Sequence, residues 1–288
     1  MNRPLAGVVL AAGLGTRLRP LTDLRPKALC PVAGRPLLDW ALDRLAPHTG
    51  TGPEHLAVNA HHHADQVVAR LGGEVGGRAH VSVEQPEPLG TAGALGLLRD
   101  WLDGRDVLLT NADAWIVTSD GSSEGALDGL LHGWDRERCR LLVVPAEPGV
   151  RKDFGDCRYV GACLLPWALV SELAPTPSGL YEVLWREQER QGRLELVVHD
   201  GPALDVGRPA DYLRANLAAA PDGWVHPAAL VEGAAARSVV GAGTVVEGTV
   251  ERCVVWDGAR VERHEHLVDV VRAAGPDGPV TVPAAAGA

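Results

Sequence analysis

Positive charge is scarce in this chain. Its 37 acidic residues outweigh 27 lysines and arginines, and the formal net charge is −10. No broad basic face is evident, which argues against nucleic acid as a partner, because binding a phosphate backbone relies on many spread cations. Paired cysteines are also missing. Cys30, Cys139, Cys157, Cys163 and Cys253 form no C-x-x-C spacing, so neither a zinc ribbon nor a dithiol redox motif is present. An odd count in a chain of 288 residues reads as reduced thiols in a cytoplasmic protein. Long apolar runs are absent too: none approaches the ~20 residues that cross a bilayer. The start, "MNRPLAGVVLAAG", is too short in apolar residues for a secretory leader. A membrane partner is therefore not expected.

Apolar residues nonetheless make up 46% of the chain, enough for a substantial core. The continuous apolar stretch Leu5 to Ala11 suits a strand covered on both faces, as in a parallel sheet. Strands are also predicted at "LAVNA", "HVSVE" and "DVLLTNADAWI", and helices at Pro36 to Leu45, Ala64 to Leu71 and Ala92 to Leu102. This alternation predicts an α/β doubly wound sheet. Further strands are expected at Arg140 to Glu147, Tyr159 to Pro166 and "RLELVVHDG", with helices at Ser178 to Gly192 and Arg208 to Ala220.

The character changes at Pro221. "SVVGAGTVV" and "CVVWDGARV" align at an offset of fifteen, and "WVHPAALV" aligns one step earlier. Short valine pieces joined by glycine turns predict a small β-solenoid of the left-handed β-helix kind. The expected division is 1–221 for the main domain, 222–272 for the solenoid and 273–288 for a loose tail. Exposed coil ends invite pairing, so a homo-oligomer through the solenoid is expected.

Against the overall negative charge, "LAAGLGTRLRPLTDLRPKALCPV" gathers Arg17, Arg19, Arg25 and Lys27 beside a glycine-rich turn. Position 18 is leucine where a Rossmann fingerprint has its third glycine, and the G-K-[ST] of a Walker loop is absent. Pro20 argues against a helix starting here, so an extended loop is predicted, with backbone N–H groups free to converge on phosphate oxygens.

The stretch from Leu10 to Trp40 closely resembles the N-terminal signature of the sugar-1-phosphate nucleotidyltransferases, in which G-x-G-x-R is followed by Pro-Leu-Thr and a later Pro-Lys. "EQPEPLGTAGALG", "NADAW" and "LDVGRPADYLRAN" resemble three further motifs of that family, in the same order. The resemblance implies a Rossmann-like mixed sheet, and transfer of a nucleotidyl group from a nucleoside triphosphate to a sugar 1-phosphate with release of pyrophosphate. It implies Arg17 on the β- and γ-phosphates, Lys27 on the α-phosphate, and the backbone of Gly13, Leu14, Gly15 and Thr16 along the triphosphate. Leu10, Ala12 and Gly13 would begin the nucleotide pocket, and Glu84, Gln85, Gly90 and Thr91 would face the base. Asp113 and Asp205 would together bind Mg²⁺, and Asp113 counts with Arg17 and Lys27 as catalytic. Gly161 would lie near the sugar, bordered by Tyr181 and Glu182.

Such a reaction needs no activated protein nucleophile. A phosphate monoester has a second pKa of about 6 and is largely dianionic at neutral pH. The barrier lies in bringing two polyanions together, which positioned cations lower.

"EPLGTAGAL" looks most like mannose-1-phosphate guanylyltransferases. "NADAW" and the short chain look more like hexosamine- or N-acetylmuramate-1-phosphate uridylyltransferases. Thymidylyl transfer, cytidylyl transfer to a small phospho-alcohol, and a non-catalytic nucleotide-sugar sensor stay open. The family's Glu-Lys-Pro hairpin, whose lysine helps hold the sugar phosphate, is missing between Val144 and Tyr159, and only Arg151 or Lys152 offers a substitute. Three consecutive histidines, His61 to His63, cannot face one point, so a loop or helix start is expected there. The eight tryptophans are expected in the core or at interfaces.

Overall fold

The apolar run near the N-terminus becomes the middle of a seven-stranded sheet. The computed structural model describes residues 4–72, 77–149 and 152–285. The chain divides into two compact units, Met1–Leu14 with Leu38–Ala203, and Gly15–Leu37 with Leu204–Ala288. The first motif is thus split between them, and the segment 15–37 belongs with the C-terminal part.

In the first unit the sheet strands are β1 (Ala6–Leu10), β2 (Leu56–Ala60), β3 (His80–Val83), β4 (Val107–Asn111), β5 (Cys139–Pro145), β6 (Cys157–Leu165) and β7 (Leu194–Val198). Their order is β7-β5-β6-β4-β1-β2-β3. β1 pairs parallel with both β2 and β4, and β2 pairs parallel with β3. β6 runs antiparallel to both β4 and β5, so the sheet is mixed. Ala6 to Val9 are all buried, as expected for a strand covered on both faces.

Helices α1 (Leu37–Thr49), α2 (Ala64–Leu71) and α3 (Gly90–Leu97) follow β-strands or turns where the apolar spacing predicts them. The long helix expected from Ala92 to Leu102 is broken at Leu98, and a single turn, Arg99–Leu102, completes it. Glycines 93 and 96 on α3 let it press on the backbone of residues 174–176. The predicted strand from Asp106 to Ile116 is likewise interrupted, at Ala112 and Asp113, and resumes as Ala114–Ile116. The break places Asp113 where β4 ends.

The second unit contains α4 (Pro209–Ala219), with proline in its first turn, and the solenoid. Strands stack in three parallel columns. Trp224–Val225, Val239–Val240, Val254–Val255 and Val270–Gly275 form one column, and Leu230–Val231, Val245–Val246 and Arg260–Val261 the next. Ala234–Ala236, Thr249–Glu251 and His266–Val268 form the third. Val239 lies opposite Val254, fifteen residues on, which matches the offset read from the sequence. Between Val261 and His266 two residues are added, so Thr249 faces His266 instead. Val240, Val246, Val250, Val255 and Val261 fill the interior.

The tail expected to be loose from residue 273 is instead a hairpin. Val270–Gly275 pairs antiparallel with Gly278–Pro283 around Pro276 and Asp277. Proline and aspartate at the centre of a turn, with glycine after it, form a tight reversal rather than a linker. Among the described residues no helix is long and apolar enough to cross a membrane.

Candidate active site

The strand order β3-β2-β1-β4 creates a switch point between β1 and β4, where the connections leave in opposite directions. Ligands in such sheets bind beyond the carboxyl ends of the strands at that point. Here the first unit has a cavity of ≈ 220 Å³ lined by Leu10, Ala12, Gly13, Asn59, Pro88, Gly90, Thr91, Asn111 and Asp113. All but Asn59, Pro88 and Asn111 are site residues expected from the sequence.

Asn59 is the polar residue in an otherwise apolar strand, and that is the signal sequence reasoning missed. Its Oδ1 accepts from the Ala11 N–H at 2.7 Å, and its Nδ2 donates to Glu84 Oε1 at 2.7 Å. The other Glu84 oxygen accepts from the Leu89 N–H at 2.6 Å. Glu84 is fully buried and does not line the cavity. Its carboxylate ties the Pro88–Thr91 wall to β2, whereas the sequence places it against the base. Gln85 is exposed and also lies off the lining. Thr91 Oγ1 accepts from the Leu180 N–H at 2.8 Å, which pins the start of α3.

Asp113 is half-buried on the lining. Burial first, then Cys163, and then the nearby Asp113 carboxylate push the Tyr159 phenol well above its ordinary pKa. The strand after Asp113 is held by Arg44, which sequence reasoning missed. Its buried guanidinium donates to Thr110 Oγ1 at 2.9 Å, Ala114 O at 3.0 Å and Ile116 O at 3.2 Å. Gly161 packs behind the same strand. It has φ +89, and a Cβ there would stand 2.9 Å from Ala114 Cβ and 3.2 Å from Asn111 Nδ2.

In the second unit, the turn predicted as extended is wound up. Gly15 has φ 64 and opens a single 3-10 turn, Thr16–Leu18. Pro20 then caps a one-turn helix, Leu21–Leu24, instead of preventing one. The Thr22 hydroxyl donates to Gly15 O at 2.9 Å and closes the loop on itself. Proline lacks an N–H and tolerates a helix start, which is why Pro20 is compatible with this winding.

The four cations part company here. Arg17 Nη2 lies 3.9 Å and Lys27 Nζ 3.8 Å from the two oxygens of Asp205. Arg19 pairs with Asp23, and Arg25 stacks on Trp256. A Cβ at Gly207 would approach Arg17 Nη2 at 2.8 Å, the mobile end of an exposed side chain. Asp205 thus faces both cations.

Leu14 is exposed, as is Thr16. Tyr181 and Glu182 are exposed and do not line the cavity; Tyr181 makes an edge contact with Phe154, whose ring also meets Trp185. Lys152 pairs with Asp156 on an exposed turn. Arg151 lies outside the described residues. His63 occupies the N-cap of α2 with φ 50, and His61 Nδ1 contacts Glu84 O at 2.9 Å. Among the described residues no group of three His, Cys, Asp or Glu side chains gathers as a metal cage.

Comparison with known proteins gives concordant results. The Nucleotidyl transferase family profile matches residues 6–123. N-acetylmuramate alpha-1-phosphate uridylyltransferase of Caulobacter vibrioides is 32% identical over 238 residues, 74% of this chain and 96% of that one. Glucose-1-phosphate thymidylyltransferase of Streptomyces antibioticus is 29% identical over 303 residues, 95% of this chain and 79% of that one. The crystal structure of mannose-1-phosphate geranyltransferase from Thermus thermophilus is 20% identical, with a TM-score of 0.67, covering 98% of this chain and 95% of its own. That last likeness carries the fold.

Proposed function

The chain belongs to the nucleotidyl transferase family, among the sugar-1-phosphate nucleotidyltransferases, and from that premise we propose how its residues divide the work. The observation that carries the reading is the cavity at the β1–β4 switch point, lined by the motif residues Leu10, Ala12, Gly13, Gly90, Thr91 and Asp113. A nucleoside enters there, with glycine and alanine allowing close approach of base and ribose. Asn59 and Glu84 shape the wall that the base meets.

The oxygen of a sugar 1-phosphate attacks the α-phosphorus. A new P–O bond forms, the bond from that phosphorus to the β-phosphate oxygen breaks, and pyrophosphate leaves. Lys27 holds the α-phosphate as a point charge, and Arg17 grips the leaving oxygens with its planar fork. Asp205 keeps both cations in place before substrate arrives and yields them to the phosphates. Gly161, Tyr181 and Glu182 lie on the sugar side in this reading.

Magnesium fits the donor set by its chemistry. Mg²⁺ characteristically takes one or two carboxylates and completes its shell with water and phosphate. Half-buried Asp113 and exposed Asp205 offer single carboxylates of that kind. When bound, the ion supplies charge neutralisation for the phosphates. Cytoplasmic location and a homo-oligomer formed through the solenoid belong to the same proposal. Exposed Val225 and Leu230 on the first coil, 44% and 53% accessible, support pairing there.

For the base, the coverage of the Caulobacter relative favours uridine triphosphate, while the "EPLGTAGAL" resemblance favours guanosine triphosphate. The test is a matrix of triphosphates against sugar 1-phosphates, read as pyrophosphate release. Release is expected only when one matched pair is present. Release by triphosphate alone, or none with any pair, would remove the transfer reading.

A further inference from the structure

The segment carrying Lys27 is held from the solenoid. Residues 15–37 and 204–288 form one compact unit, so the cation turn and the β-coils share a single body. Within it, the Arg25 guanidinium lies 4.2 Å from the ring centroid of Trp256, a residue of the third coil. Trp256 is 1% exposed. Its indole N–H donates to Tyr212 Oη at 2.9 Å, and the Tyr212 hydroxyl in turn donates to the Pro31 carbonyl. Next to it on α4, Asn216 Oδ1 accepts from the Ala33 N–H at 3.0 Å.

One tryptophan therefore reaches the chain on both sides of Lys27: at Arg25 directly, and at Pro31 through a tyrosine. Lys27 itself is enclosed, with an 11% exposed side chain aimed at Asp205. A cation over an indole face and a buried hydrogen bond are both geometrically demanding. Nothing in nucleotide binding requires a β-helix, yet the loop's two anchor points converge on it.

We propose that Trp256 is a positioning residue for Lys27, and that the solenoid serves the reaction by fixing the Pro26–Lys27 turn through the Arg25–Trp256 stack and the Trp256–Tyr212–Pro31 relay. This rests on the phosphate role assigned to Lys27 above. The solenoid is then part of the reaction apparatus as well as a place for subunits to meet.

The test uses the full chain with three variants. Arg25→Met removes the cation and keeps the length. Trp256→Phe keeps a ring face and loses the donor. Trp256→Leu loses both. Arg25→Met and Trp256→Leu are expected to lower kcat about tenfold, with KM for the sugar phosphate within twofold. Trp256→Phe, which keeps the stack and loses the relay, is expected to fall between wild type and Trp256→Leu. The Arg25→Met/Trp256→Leu pair should be no more than twofold worse than Trp256→Leu alone, since Trp256→Leu already removes the stack that Arg25→Met cuts.

A second readout does not depend on turnover. The chain has two lysines, Lys27 and Lys152. Acylation by an amine reagent, followed by peptide mass spectrometry, should rise several-fold at Lys27 in Arg25→Met while Lys152 stays constant as internal reference. Wild-type rates and wild-type Lys27 labelling in Arg25→Met would overturn the proposal, whatever the melting point does. A wild-type chain that turns over no substrate but shows the labelling change would remove the transfer reading and leave the positioning intact.

Discussion

The Lys27 ammonium stands 3.8 Å from Asp205, and the two side chains differ sharply in access: 11% of the lysine is exposed and 55% of the aspartate. The lysine is the enclosed member of the pair and the aspartate the exposed one. In the proposed reaction Lys27 holds the α-phosphate. Lys27→Met keeps the stem and removes the charge, so kcat should fall by roughly 10²- to 10³-fold, the usual effect of losing one preorganised charge stabiliser. Triphosphate binding, followed as a rise in melting temperature, should persist because the cavity of the first unit is untouched. A kcat within threefold of wild type would show that Lys27 stabilises no developing charge.

Under the proposed magnesium role, metal dependence should follow the two aspartates. Chelation should abolish pyrophosphate release, and added Mg²⁺ should restore it. Asp113→Asn and Asp205→Asn should each raise the Mg²⁺ concentration for half-maximal rate about tenfold or more, since a neutral amide is a poorer ligand for a hard cation. An unchanged magnesium titration in both variants would remove these residues as ligands.

Gly161→Ala tests the wall behind Asp113. The backbone there has φ +89, and the added methyl would meet Ala114 Cβ at 2.9 Å. Strain and overpacking act together, and the expected loss is about 2–3 kcal/mol in urea denaturation. Because Asn111 and Ala114 bracket Asp113, the rate should fall more than the stability loss accounts for. Wild-type stability would mean that the strand gives way at no cost.

Much of this site is legible without coordinates. Leu10, Ala12, Gly13, Gly90, Thr91 and Asp113 fall at strand or helix ends, where period and punctuation are readable and ligands collect. The fifteen-residue offset is legible because each coil repeats the same paired valines. What escapes a sequence reading depends on contacts distant in sequence. Nothing local marks Arg44 as the buried strut under Ala114 and Ile116. Glu84 reads as a base contact because a strand-end carboxylate looks available, and its bonds to Asn59 and the Leu89 N–H appear only in the fold. The hairpin at the end is hidden by composition: glycine, proline and alanine resemble a linker until strand pairing is considered. The Arg25–Trp256 stack joins residues more than two hundred positions apart, beyond any pattern argument.

Acid titration provides a last check, on the scaffold beneath the site. Asp39 lies in the first turn of α1, almost wholly buried, where its carboxylate accepts from Arg70 and from Arg78, the latter at 2.7 Å. Burial by itself would raise its pKa. The hydrogen bonds and charges of Arg70 and Arg78 outweigh that, and the net shift is downward from the ordinary 3.8. A carboxyl whose folded pKa lies below its unfolded value binds fewer protons when folded. It therefore stabilises the fold at pH values above its unfolded pKa, and that contribution is lost as pH falls through the folded one. Both arginines are partly exposed, so solvent screening reduces the energy, and about 1–2 kcal/mol is expected at neutral pH. Asp39→Asn should be less stable than wild type by that amount at pH 7 in urea denaturation. The difference should shrink steadily below about pH 4, as wild-type Asp39 itself becomes neutral. A gap that stays constant down to pH 2 would mean that the arginines contribute packing at this position and no charge-dependent stability.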